Sequence, residues 1–234
     1  MNYCTKYTIA GIVPMRHYSE RVPGKNYREF AGKPLFHHII ETLLDCPSVT
    51  QVYIDTDSPV IIEQTRNLYP TVVVLERPEH LRDGSVLMNN VLMNTCEQIR
   101  ADFFLQTHST NPLLSAETVE RGIQQFLKNF PAYDSLIGVT RLQARLWDAV
   151  ARAINHNPAI LMRTQDLPPL YTENSCMYLF KKETMIRKQN RIGERPLLYE
   201  IPEIEAQDIA GELNFKVAEF LFNELHPQPW YQRA

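Results

Sequence analysis

A regular alternation of short apolar runs and helix-like segments occupies the first 140 or so of 234 residues and constrains the fold most. The apolar runs are rich in β-branched residues and end at turn or polar residues, as YTIAGIVP does at Pro14. The intervening segments place apolar residues with the spacing of one helix face, as in Leu35–Leu44. This alternation is typical of parallel βαβ units and predicts an α/β fold.

The predicted strands and helices locate the edge of the sheet where ligands should bind. The strands are Tyr7–Pro14, Val49–Asp57, Thr71–Glu76, Asp102–His108 and Ser135–Thr140, and the helices are Leu35–Leu44, Val60–Leu68, Val86–Ile99 and Ala116–Leu127. Strands as continuously apolar as VVVL fit a sheet that is covered on both faces. Ligands of such sheets bind outside the carboxyl ends of the strands, so we expect functional residues in 16–26, 55–58, 77–85 and 106–111.

The pattern changes after about residue 140. Residues 141–177 show no clean helical period and contain several prolines, which predicts irregular strands and loops in an insert that projects from the main sheet. A strand, CMYLF, follows, and a helix is predicted over about 211–225. Residues 226–234 are predicted to be a loose tail. The chain 1–234 is therefore expected to be one domain with an insert.

Composition excludes several classes of function. The chain is 44% apolar and 22% charged, with a formal net charge of −3, which fits a globular protein and argues against binding to nucleic acid or acidic membranes. No run approaches the roughly 18 apolar residues of a membrane span. The start, MNYCTKYT, lacks the apolar core of a signal peptide, and Cys4, Cys46, Cys96 and Cys176 are too widely spaced for a metal site. A cytoplasmic protein with free thiols is expected.

The loop after the first strand, PMRHYSERVPGKN, is the first candidate for a binding site. It places Arg16, Arg21 and Lys25 within ten residues, together with a glycine. Backbone N–H groups and such cations neutralise and orient polyphosphates, although the loop is neither a Walker motif nor G-x-G-x-x-G. From charge alone, the loop is either a phosphate-binding loop or a solvated basic turn.

An acidic cluster near the C-terminus is the second candidate. Glu203, Glu205 and Asp208 are followed by Glu212, at the start of the last predicted helix. Carboxylates near a polyphosphate commonly bind Mg²⁺, but an exposed acidic turn before a helix would look the same. The serines do not lie in a G-x-S-x-G elbow and the histidines have no zinc-site spacing, which argues against a nucleophilic hydrolase and a zinc enzyme.

The loop resembles the P-A-R-x-x-S-x-x-x-P-G-K-N signature of the sugar cytidylyltransferases. This family includes the N-acylneuraminate and 3-deoxy-manno-octulosonate enzymes. Further similar motifs occur in the same order over about 210 residues: AGKPL, DTDS, ERPEHLRD, LQTHSTNPLL, RTQDLPPLYTENSCMYLF and QDIAGELNFKVAE. Each motif is weak alone, but their order and spacing make the resemblance specific.

The resemblance implies a fold, a reaction and a set of site residues. The fold would be a Rossmann-like, GT-A-like three-layer α/β/α sandwich with a mostly parallel mixed sheet and a small inserted dimerisation subdomain at about 141–177. CMP would pass from CTP to the anomeric hydroxyl of a 2-keto sugar acid, with Mg²⁺ and release of pyrophosphate. The implied nucleotide-binding residues are Pro14, Met15, Arg16, Ser19, Arg21, Lys25, Asn26 and Arg77; Arg16, Arg21, Lys25 and Asp208 would serve catalysis, Asp208 would hold the metal, and Gln106, Arg163, Gln165, Tyr171, Asn174 and Tyr178 would face the sugar.

Several positions depart from the family pattern. The loop has Met15 where alanine is usual, and Glu20 where sialate enzymes often have lysine, so that Arg21 is expected to substitute. LQTHSTNPLL replaces L-Q-P-T-S-P-L, which reshapes the contacts with the sugar. Of a pair of arginines before glutamine only Arg163 is present, and the usual Asn-Gly is Asn174 followed by serine.

The largest departure concerns the metal. The family's D-I-D is Asp208-Ile209-Ala210 here, so one of two metal-linked aspartates is missing. Asp208 alone remains compatible with Mg²⁺, which often binds one or two carboxylates plus phosphates and water. Three alternatives stay open: a CMP-sugar synthetase, a nucleotidyltransferase of the same fold with another sugar or nucleotide, and a binding protein that has lost catalysis. The resemblance also implies a homodimer in which the insert reaches the partner's site.

Overall fold

The computed structural model describes residues 6–227. The strands are β1 Ile9–Met15, β2 Glu29–Phe30, β3 Lys33–Pro34, β4 Gln51–Thr56, β5 Val73–Glu76, β6 Phe103–Thr107, β7 Ser135–Leu142, β8 Leu170–Phe180 and β9 Pro196–Glu200. Seven of them form one sheet in the order β5-β4-β1-β6-β8-β7-β9. All seven are parallel except β8, which runs antiparallel to its neighbours β6 and β7. The predicted mostly parallel mixed sheet is confirmed.

Helices cover both faces of the sheet. They are α1 Leu35–Leu44, α2 Pro59–Leu68, α3 Met88–Gln98, α4 Ala116–Asn129, α5 Lys182–Lys188 and α6 Glu212–Leu225. The apolar residues of α1, α2 and α4 share one core cluster, and those of α3 and α5 share another on the opposite face. β1 contributes to both, Ile9 and Val13 to the first and Ala10 and Ile12 to the second, because successive side chains of a strand point to opposite faces. The predicted three-layer α/β/α arrangement is confirmed.

The middle of the predicted insert is irregular, but its two ends are not. Strand pairing between β7 and β8 continues out to Leu142 opposite Leu170, so the part without regular pairing is 143–169. That part holds one isolated bridge, Trp147 with Ala153, and one 3-10 turn, Thr164–Asp166. Whether 141–177 acts as a separate subdomain stays a prediction.

Two further predictions from the sequence fall partly outside the described residues. Cys46, Cys96 and Cys176 are free and buried, as expected of unpaired thiols, whereas Cys4 lies outside the described residues. Most of the predicted tail, 228–234, also lies outside them. Within residues 6–227, no helix is long and apolar enough to cross a membrane.

Candidate active site

A cleft of about 450 Å³ opens at the carboxyl ends of the central strands, as the parallel topology predicts. It brings together residues from the loop after β1, the loop after β5, the loop after β6 and the segment before α6. Nine residues predicted from sequence line it: Pro14, Met15, Arg16, Ser19, Arg21, Lys25, Asn26, Arg77 and Asp208.

The loop after β1 is held in shape by its own polar contacts. Gly24 has a φ of +64°, in the left-handed region that favours glycine, and the 3-10 turn Lys25–Tyr27 follows it. The buried amide of Asn26 donates to the carbonyl of Arg16 at 2.8 Å and accepts from the hydroxyl of Ser109 at 2.8 Å. Asn26 therefore fixes the two ends of the loop to each other and to the loop after β6.

Lys25 connects the basic loop with the acidic segment. Its ammonium donates to the carbonyl of Ile209 at 2.7 Å. Burial lowers the pKa of Lys25, the nearby Asp208 carboxylate opposes this effect, and the positive charges of Arg21 and Arg16 add to it. The cleft thus concentrates positive charge beside the exposed carboxylate of Asp208, and the exposed side chains of Glu20 and Asp83 also line it.

Arg77 is fixed by a buried ion pair. Its Nε donates to a carboxylate oxygen of Asp55 at 2.5 Å and its Nη2 to the Asp55 carbonyl at 3.2 Å. The hydroxyl of Thr95 donates to the other Asp55 carboxylate oxygen at 2.7 Å. The side chains of Arg77 and Asp55 are 5% and 1% exposed, so this pair holds a guanidinium rigidly at the wall of the cleft.

The acidic segment offers one carboxylate to the cleft. Asp208 is exposed and Ala210 lines the cleft beside it. Glu205, a member of the acidic cluster seen in the sequence, instead accepts from the backbone N–H of Ser115 at 2.8 Å and the hydroxyl of Thr118 at 2.9 Å, at the start of α4. No group of three His, Cys, Asp or Glu side chains within residues 6–227 forms a ready-made metal site. This donor set fits Mg²⁺ where substrate phosphates supply further oxygen ligands.

The residues predicted to face the sugar divide into two groups. Gln106 and Tyr178 are buried in β6 and β8 below the cleft, and Asn174 lies in β8, where its amide donates to the hydroxyl of Thr140 at 3.0 Å. Arg163, Gln165 and Tyr171 are exposed and away from this cleft. Arg163 forms a surface ion pair with Asp166, Nε to Oδ2 at 2.6 Å.

Two residues that line the cleft near β8 were not among the site residues predicted from sequence. Arg191, on the loop between α5 and β9, reaches back to β6 and β8. Ser175 replaces the family's glycine yet has a φ of +60°, so it keeps the left-handed backbone that glycine favours. The positive φ has no local sequence signal, but the Asn-Gly of the resembled family could have indicated it.

His108 lines the cleft near both Arg191 and Lys25. Burial and the positive charges of Arg191 and Lys25 lower the pKa of His108 to about 3, so the imidazole is neutral near pH 7. Its Nε2 lies 2.7 Å from the amide nitrogen of Gln106. Because the amide oxygen of Gln106 accepts from Arg191, its nitrogen donates to an unprotonated His108 Nε2.

Comparisons with known proteins give first the fold class and then the family. The fold is shared with nucleotidyltransferases: a solved structure of a CMP:2-keto-3-deoxy-manno-octonic acid synthetase complexed with CTP matches with a TM-score of 0.69 at 14% identity, over 93% of this chain and 99% of that one. The family model for cytidylyltransferases matches residues 10–209. The chain belongs to the cytidylyltransferase family and is a nucleotidyltransferase.

Relatives extend the match over nearly the whole chain. A pseudaminic acid cytidylyltransferase of Campylobacter jejuni serotype O:2 is 23% identical over 228 residues, which cover 92% of this chain and 96% of the relative. An N-acylneuraminate cytidylyltransferase B of Danio rerio is 24% identical over 217 residues, covering 90% of this chain and 50% of the relative. The predicted resemblance to sugar cytidylyltransferases is confirmed.

Proposed function

We propose that this enzyme transfers CMP from CTP to the anomeric hydroxyl of a nonulosonic or related 2-keto sugar acid. One observation carries the proposal: Arg16, Arg21, Lys25 and Asp208 converge on one cleft in a chain of the cytidylyltransferase family. The relatives' names supply the class of acceptor, since they act on pseudaminic acid and N-acylneuraminate.

In the proposed reaction, the anomeric oxygen forms a bond to the α-phosphorus of CTP. The bond from that phosphorus to the bridging oxygen of the β-phosphate breaks, pyrophosphate leaves with the bonding electrons, and the hydroxyl proton passes to solvent. The demands on the protein are in-line positioning and neutralisation of the charge that develops on the leaving group.

The basic loop meets the second demand. Arg16, Arg21 and Lys25 lie together in the cleft, where burial first and then the positive charges of Arg21 and Arg16 lower the pKa of Lys25. A triphosphate neutralises these positive charges and gains charge-assisted hydrogen bonds. Ser19 and the buried pair of Arg77 with Asp55 supply fixed polar groups for the nucleoside end, between the apolar walls of Pro14 and Met15.

Asp208 would hold Mg²⁺ together with the triphosphate. The metal, when bound, would neutralise phosphate charge and complete its coordination with phosphate oxygens and water. Lys25 donates to Ile209, the residue after Asp208, so the chain itself keeps the carboxylate beside the phosphate-binding loop. Ala210 makes this a one-carboxylate site.

The proposal includes a homodimer in which residues 141–177 reach the partner's cleft. Segment 143–169 exposes apolar side chains that a monomer leaves in water, among them Trp147, Val150, Ile154, Ile160 and Leu161. The resemblance implies that three residues of this region face the sugar, yet they lie away from their own chain's cleft: Arg163, Gln165 and Tyr171. A partner's cleft would give these residues the predicted role.

The experiment is a pyrophosphate-release assay with Mg²⁺, four nucleoside triphosphates and three acceptors: pseudaminic acid, N-acetylneuraminic acid and 3-deoxy-manno-octulosonic acid. We expect release with CTP and at least one acid, and only background release without an acid. Release with UTP, ATP or GTP in place of CTP would favour a nucleotidyltransferase of other specificity. CTP binding without release for every acid would favour a binding protein that has lost catalysis.

A further inference from the structure

Arg191 adds a positive charge to the cleft from a part of the chain other than the basic loop. It lines the cleft together with His108 and Ser175, and its side chain is only 14% exposed. The cations of the basic loop all come from the segment after β1, whereas Arg191 comes from the loop between α5 and β9. The cleft therefore has two separate positive regions.

Neutral groups hold the Arg191 guanidinium in place. Its central carbon lies 3.6 Å from the centroid of the Tyr178 ring, and its Nη1 donates to the amide oxygen of Gln106 at 2.6 Å. Stacking on an aromatic ring and a bond to an amide fix the orientation of a guanidinium without cancelling its charge. Arg191 is thus oriented and still cationic.

Within residues 6–227, one acidic side chain lies within ion-pair distance of Arg191. Its oxygen, Oε1 of Glu173, is 3.8 Å from Nη2, and the Glu173 side chain is 47% exposed and also accepts from the Tyr178 hydroxyl. His108 is neutral near pH 7, so it adds no second positive charge beside Arg191 and cannot serve as its counter-ion. A desolvated guanidinium with so distant a counter-ion is only weakly compensated, and an anionic ligand would complete its pairing.

We propose that Arg191 binds the carboxylate of the sugar acid, beside His108 and Ser175. This inference rests on the proposed function and assigns the group that distinguishes an acidic sugar from a neutral one. The position suits the role, because His108 lies close to both Arg191 and Lys25 and so spans the distance between the sugar end and the phosphate end. Gln106 and Tyr178 then act as positioning residues for Arg191.

The competing explanation is structural: Arg191 ties the loop before β9 to β6 and β8 and touches no ligand. Steady-state kinetics with an acid and with its C1 methyl ester separates the two explanations, since the ester lacks the carboxylate charge. The variants are Arg191→Gln and Arg191→Lys, and the matched control is Arg187→Gln, at an exposed arginine of α5. The acid is the one of the three acceptors with the highest kcat/KM.

For Arg191→Gln we expect KM for the acid to rise roughly 10- to 100-fold, the range of a lost hydrogen bond to a charged group. KM for CTP and kcat/KM for the ester should stay at the wild-type values. The KM of Arg191→Lys for the acid should fall between those of the wild type and Arg191→Gln. An equal loss of kcat/KM for acid and ester, or no loss for either, would overturn the inference. Failure of the proposed function is distinguishable, because it appears in the wild type as no turnover of any acid.

Discussion

Lys25 links the basic loop of the site to the acidic segment that carries Asp208. Its ammonium bonds to the Ile209 carbonyl, lies near the Asp208 carboxylate, and shares the cleft with Arg16 and Arg21. In the proposed reaction a charge in that position would act on the leaving pyrophosphate, and its hydrogen bond to Ile209 also holds the segment that carries Asp208. Its removal should therefore affect the chemical step more than the stability of the fold.

We predict that Lys25→Ala lowers kcat for pyrophosphate release by about 10²- to 10³-fold, the range for removal of one group that stabilises developing charge. Lys25→Arg should retain part of the rate. Lys216→Ala, at an exposed lysine of α6, is the control and should match the wild type. Unchanged kcat in Lys25→Ala would show that Lys25 takes no part in the chemical step.

Asp208 and Ala210 together predict a characteristic dependence on Mg²⁺. Because the segment before α6 offers the carboxylate of Asp208 to the cleft and Ala210 offers none, Asp208→Asn should raise the Mg²⁺ concentration for half-maximal rate, and Ala210→Asp should lower it by adding a second oxygen ligand. The measurement is the initial rate over a Mg²⁺ titration at fixed CTP, with Glu203→Gln, an exposed acid of the same segment, as the control. An identical titration curve for all four proteins would remove Asp208 from the metal site.

Among the strands and helices, the ends of β4 and β5 and the middle of α3 are joined by one buried network. Asp55 lies near the carboxyl end of β4, Arg77 follows β5, and Thr95 belongs to α3. The Asp55 carboxylate accepts hydrogen bonds from Arg77 and from Thr95. The network positions Arg77 at the wall of the cleft and also joins helix α3 to the sheet at β4. Its loss should therefore be visible in global stability.

We predict that Asp55→Asn lowers the free energy of unfolding by about 3–5 kcal/mol, because it leaves the Arg77 charge buried without its partner. The control is Glu76→Gln, which breaks the exposed pair of Glu76 with Arg66 and should cost less than about 1 kcal/mol. Urea unfolding measures both. Equal effects of the two substitutions would contradict the account of a buried, stabilising pair.

The sequence predicted the elements whose signals are local. α1 was predicted with the observed bounds, since its apolar spacing is regular and Pro34 precedes it, whereas α3 begins two residues later than predicted, at Met88. α5 and β9 were missed, because α5 has only seven residues and β9, PLLYE, lacks the β-branched residues that marked the similarly short β5. Short strands were predicted where the apolar run is continuous, as in VVVL at β5.

For the site as well, residues in contiguous motifs could be predicted, and a residue brought in by tertiary packing could not. The basic loop and Asp208 lie in contiguous motifs, and the cleft contains them as expected. Arg191 was not predictable, because its partner Gln106 is 85 residues away and no motif surrounds it. Charge that reaches a site through tertiary packing is visible only in the structure.

At the scale of the whole molecule, the exposed apolar surface of segment 143–169 predicts that the chain assembles with a second copy. Leu161 is 91% exposed, and its apolar neighbours Ile160 and Met162 are also exposed. Apolar surface of this kind is expected at an interface between subunits. The proposed homodimer would bury it and bring Arg163 toward the partner's cleft.

We predict that sedimentation velocity gives the mass of a dimer for the wild type and that Leu161→Glu shifts the protein toward a monomer. A charge at a buried contact is costly, so the equilibrium moves toward the separated subunits. Ile186→Glu, at a half-exposed residue of α5, is the control and should leave the dimer intact. A monomeric wild type would contradict the proposed assembly.

The fate of the α-phosphate of CTP decides the proposed reaction. The enzyme, Mg²⁺ and CTP labelled with ³²P at the α-position are incubated with and without the preferred sugar acid, and the products are separated by anion exchange. Transfer predicts that the label moves into a new CMP-sugar only when the acid is present, with one pyrophosphate for each labelled product. Label that remains in CTP, or that appears as free CMP whether or not the acid is added, would contradict cytidylyl transfer to a sugar acid.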